Sequence, residues 1–168
     1  RHEVAHAEPG VALHGQDRFT RELDDAARVA GVMIDGDACR RIVTPRAMEF
    51  MLRTDPADRY LGSDNYDVNH DAFDAVKKTL LSVSRLVSFP ADANLWMPVP
   101  AHPDKVRVVI RNPNELSQFW PWGALYQPMV PEMATVLATG RRITVAQKPG
   151  WVSVLAPVSD SLGDIVAV

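Results

Sequence analysis

Residues 151–168 read WVSVLAPVSDSLGDIVAV, and the reading of this stretch decides the fold. In WVSVLAPV, Ser153 alternates with Val152 and Val154, which places it on one face with Trp151 and Leu155 and predicts a strand. SDSLGD supplies turn chemistry, and IVAV is then a closing strand. Asp160 and Asp164 flank that reversal, and the turn explains both. Just upstream, RITVAQ and WVSVLAPV flank KPG, which predicts a hairpin. ANLWMPVP and KVRVVIR flank AHPD, a turn-like tetrapeptide, and predict another. NPNELSQFWPWGALYQPMVPEMATVLATG lies between the two hairpins. Its first part is rich in proline and aromatic residues, and residues 131–139 predict a short helix closed by Gly140.

The first half of the chain reads differently. Phe19, Leu23, Ala26, Ala27, Ala30, Met33 and Ile34 recur at helical spacing, with Arg21, Asp24, Asp25 and Arg28 on the opposite face. A long helix over about 11–34 follows. Asp35-Gly36 punctuates it, and Asp37 is placed to cap what comes next. Thr44-Pro45 reads as a cap and first-turn proline for a short helix over 46–53. TDPADRYLGSDNYD is a polar loop. Phe73, Val76, Leu80, Val83 and Leu86/Val87 mark a third helix, ended by Pro90. Residues 1–90 are thus mainly helical and 91–168 mainly strands. One α+β domain is expected, with helices on one face of about five antiparallel strands.

Composition narrows the function classes. The 168 residues are 46% hydrophobic and 23% charged, ordinary for a globular domain. A net charge of −3 is too mild for a nucleic-acid groove, so no nucleic-acid partner is expected. Cys39 is the lone cysteine, which excludes an internal disulfide and a thiolate cluster. No apolar run approaches the roughly 20 residues of a membrane span, and we expect no signal peptide within these residues. The chain opens on Arg1 and closes inside an apolar run, so we expect a soluble piece of something longer.

His2-Glu3-Val4-Ala5-His6 has zinc-hydrolase spelling: two histidines on one helix face with a glutamate as general base. The surroundings do not support it. Only Arg1 precedes the motif, Pro9-Gly10 follows at once, Gly10 and His14 are out of register for a third ligand, and Glu22 would serve only by coincidence. A solvated N-terminus is expected, with no metal, no cofactor and no catalytic residue. His70-Asp71 reads as a helix start, and Ser153 has no evident histidine partner.

With the strands placed, WVSVLAPVSDSLGDIVAV resembles the closing hairpin of Cache sensor domains. MIDGDACRRIV resembles the junction after the long first helix of single-Cache domains, and PEMATVLATG the short helix before their third strand. The resemblance runs along nearly the whole chain in order. It implies a long N-terminal helix and shorter helices on a five-stranded antiparallel PAS-like sheet. It also implies a periplasmic, non-enzymatic sensor domain of a chemoreceptor, histidine kinase or cyclase. Such a domain is attached to the membrane through spans outside this chain and can form a homodimer through the first helix. Two positions depart from the pattern. Asn112 stands where many relatives carry an aspartate that holds an amine, and Gly150-Trp151 stands where many carry Trp-Gly.

A ligand would sit between the sheet and the loop over 112–129. All four tryptophans fall between residues 96 and 151. Trp120, Trp122 and Tyr126 crowd one loop, which suits a pocket lid. Lys105, Arg107, Val109 and Arg111 alternate onto one face, and Arg107 and Arg111 can anchor a carboxylate bidentately. The expected site is therefore Trp96, Arg107, Arg111, Asn112, Trp120, Trp122, Tyr126, Trp151 and Ser153. Its expected ligand is a short carboxylate, with an amino acid second. The competing readings are the zinc hydrolase and a structural or interaction domain in which the aromatic loop is core.

Overall fold

The computed structural model describes residues 9–52, 68–100, 102–110 and 126–168. In order, these form α1 (Pro9–Met33), α2 (Gly36–Ile42), α3 (Pro45–Leu52), α4 (His70–Val83), β1 (Leu95–Val99), β2 (His102–Ile110) and β3 (Tyr126–Pro128). Then come α5 (Pro131–Thr139), β4 (Ile143–Lys148), β5 (Trp151–Leu155), β6 (Val158–Ser159) and β7 (Ile165–Ala167). The protein is mixed helix and sheet, with helices first, as expected.

Local chemistry sets the helix ends. Asp35, not Asp37, caps α2: its carboxylate accepts from the N–H of Asp37 at 2.9 Å and of Ala38 at 3.1 Å. Thr44 Oγ1 accepts from Ala47 N at 3.2 Å and caps α3 as predicted. Asn69 caps α4 by accepting from Ala72 N. α4 stops at Val83, short of the predicted Leu86/Val87. There the backbone tightens into three-residue turns, Arg85 N to Ser82 O and Leu86 N to Val83 O, and Leu86 is left 53% exposed. Gly140 ends α5 in the left-handed region at φ 67°.

The strands make three small antiparallel sheets: β1-β2-β3, β4-β5 and β6-β7. Val99 stands opposite His102, so the first hairpin reverses earlier than AHPD. β3 was not expected. It adds to β2 with Tyr126 opposite Arg107, Gln127 opposite Val106 and Pro128 opposite Lys105. The predicted strand WVSVLAPV is broken at Ala156-Pro157 into β5 and β6, because proline brings no N–H to a ladder. Beyond the ladders, Trp96 N donates to Val168 O at 2.8 Å and Val168 N donates to Trp96 O at 2.9 Å. This pair ties β1 to the residue after β7.

One core joins these pieces. Ile34, Cys39, Ile42, Val76, Leu80, Leu95, Met97, Ile110, Val158, Val166 and Ala167 are buried in one cluster drawn from α2, α4, β1, β2, β6, β7 and the end of the long helix. Area removed from water at about 25 cal/mol per Å² is the main stabilising term. In β1 the burial alternates strictly, with Leu95, Met97 and Val99 inward. In β2 it does not. The register shifts between Leu95, opposite Ile110, and Trp96, opposite Val108, so Val109 and Ile110 are both buried. That bulge interrupts the alternation expected across Lys105, Arg107, Val109 and Arg111.

Candidate functional site

Two groups of the expected residues separate in the structure. Trp96, Arg107 and Tyr126 belong to one sheet. Trp96 is half-buried on β1 and packs against the core. It stands opposite Val108, the neighbour of Arg107, and Arg107 is in register with both Met97 and Tyr126. Trp151 and Ser153 belong to another. They lie on β5, paired with Lys148 and Val145 of β4, and both are exposed, Trp151 at 74%. The alternation predicted for β5 holds, with Val152 and Val154 half-buried on the opposite face. Arg111, Asn112, Trp120 and Trp122 lie outside the described residues, as do His2, Glu3 and His6. Among the described residues, no group of three His, Cys, Asp or Glu side chains converges to hold a metal.

A buried carboxylate with a charged partner lies elsewhere, at the turn between β6 and β7. Asp160 is buried. One of its oxygens accepts from Leu162 N at 3.0 Å and Asp164 N at 2.9 Å. The other meets the Arg40 guanidinium at 2.8 Å. Burial pushes this carboxyl up, but the N–H groups of Asp164 and Leu162 together with Arg40 outweigh burial and hold it below its ordinary value. Asp37 adds to the turn by accepting from Ser161 N at 3.3 Å. The turn residues were legible as a turn, but the Arg40 partner, carried on α2, was not. Cys39, next to Arg40, is fully buried, and burial first, with nearby Asp35 second, pushes its thiol up to about 12. It is no nucleophile.

Comparison with family models, with curated proteins and with solved structures returned no match. Among the described residues no helix is long and apolar enough to cross a membrane.

Proposed function

We propose that this chain is a single-Cache, PAS-like sensor domain, the extracytoplasmic ligand-binding part of a membrane receptor, and that its ligand is a short carboxylate. The observation that carries the reading is the register of β2 and β3, which sets Arg107 opposite Tyr126. The sequence thus sets a guanidinium type and a phenol type at facing positions of adjacent strands, two of the groups a small acid needs, a bidentate charge and a hydrogen-bond donor, while Trp96, paired with Val108, alternates to the other face of the sheet. The strand pattern gives further support. The reciprocal bonds of Trp96 and Val168 join β1 to the β6-β7 pair, and β5 leads into β6 after a two-residue break. With β5 and β6 read as one interrupted strand, the order β3-β2-β1-β7-β6, with β4 beside β5, agrees with the strand order that the resemblance implies, with β3 as an added edge.

Trp151 and Ser153 contribute only if β5 closes over the same face. The test is a thermal-shift screen of short mono- and dicarboxylates and of amino acids, followed by calorimetry on Arg107→Ala, Arg111→Ala and Tyr126→Phe. Loss of a charge-assisted partner is expected to cost about 1.5–3 kcal/mol, or roughly ten- to a hundredfold in affinity. A hit that binds all three variants as tightly as the parent places the site elsewhere. Binding of amino acids without simple acids would call for an acidic group that holds the amine.

A further inference from the structure

The long helix is attached in two different ways along its length. At its C-terminal end the attachment is steric and apolar. A Cβ on Gly31 would meet Pro157 O at 2.9 Å, so the helix backbone lies directly on the β5–β6 connection. Ala30 packs on the core, and Ile34 just beyond the helix is part of it. Toward the N-terminus the attachment is polar. Glu22 accepts from Ser88 N at 2.8 Å and pairs with Arg18 at 3.2 Å. Asp24 is gripped by both arms of Arg142, at 3.1 and 3.2 Å. Phe19 meets Phe89 edge-on with ring centroids 4.8 Å apart, while remaining 42% exposed. Among the described side chains over 17–29, Ala26 alone is buried. Between these attachments lies a shallow, open groove lined by Glu22, Asp25, Ala26, Val29 and Leu86.

We infer that α1 is a hinged strap: fixed at Gly31–Ile34, it is held over 17–29 by the Glu22–Ser88 and Asp24–Arg142 clasps and opens there as a unit while the core stays folded. Local opening draws on regions with few buried apolar contacts, and this stretch has one buried residue where α4 buries Ala72, Val76, Leu80 and Val83. Opening loosens the packing of α1 against β5.

Hydrogen exchange read by mass spectrometry on the whole chain tests this. Peptides covering 17–29 are expected to exchange at least tenfold faster than those covering 70–83, roughly the ratio set by one 1.4 kcal/mol difference in opening. Asp24→Asn and Arg142→Gln are each expected to speed exchange over 17–29 a further two- to fivefold, and no more in combination, with 70–83 unchanged. Ile42→Ala, a core change, should instead speed both regions. Equal rates in the two regions of the parent, or equal acceleration of both by Asp24→Asn, would overturn the strap.

Discussion

A Cβ added at Gly36 would overlap Ser159 O and lie 2.7 Å from Asp160 N, and both are backbone atoms that cannot swing aside. The first residue of α2 therefore touches the β6–β7 turn directly, which brings Arg40 within reach of Asp160. Gly36→Ala is expected to destabilise by about 1–3 kcal/mol, the range for overpacking a close contact. Denaturant unfolding measures it, and a midpoint equal to the parent's would mean the turn yields freely. Cys39 three residues on gives a second expectation. With its thiol fully buried and pushed up to about 12, a thiol reagent in excess should leave the native protein unmodified at pH 8 and react fully once denaturant is added. Stoichiometric reaction of the native protein within minutes would contradict the burial. Single residues were legible in the sequence where their partners are three or four positions away. The Thr44 cap and the Gly140 terminator were found this way. Asp35 and Asp37 are both capping types two positions apart, so pattern alone could not choose between them. Arg40 gave no local sign of its partner.

The β6–β7 turn as an element makes the core sensitive to acid. The Asp160 carboxyl is held below its ordinary value of 3.8, so the folded state releases its proton more readily than the unfolded chain does. Its contribution is present above that value and is lost as pH falls through the lower folded-state value. Asp24, held down chiefly by Arg142, and Glu22, held down chiefly by the Ser88 N–H, add in the same direction. Unfolding midpoints measured from pH 6 to pH 2 should therefore fall steeply below about pH 4. Asp160→Asn keeps an oxygen for the Leu162 and Asp164 N–H groups but loses the ion pair. It should start less stable at pH 6 and fall less on acidification; a parallel curve would remove Asp160 from the account. At this scale the sequence was readable where periodicity was long, as in α1 and α4. β3 was hidden because Tyr-Gln-Pro is too short to alternate and ends in a residue that weakens any strand. The split of β5 from β6 was written in Ala156-Pro157 but masked by the alternation on either side.

Across the whole molecule, helices and strands far apart in the chain close on one core, and the last link is the pair Trp96 and Val168. The candidate site was legible only in part for the same reason. Arg107 and Tyr126 were nominated for chemical type, and their juxtaposition needed the β2–β3 register. Trp151 and Ser153 were nominated for alternation, which says which residues share a face but not which sheet that face belongs to. Removing residues 165–168 deletes β7 and the buried Val166, Ala167 and Val168, so the shortened chain is expected to lose its cooperative thermal transition while keeping helical circular dichroism. A sharp transition near the parent's would show that β7 is dispensable. The Trp96–Val168 pair also has a consequence for biogenesis. β1 leaves the ribosome 168 − 96 = 72 residues ahead of its neighbour. At about 5–20 residues per second, that edge waits roughly 4–14 s without a partner. An unpaired strand edge is a template for other chains. Whatever shields the nascent protein during that interval, a chaperone or the early helices, determines how much of it reaches the folded state.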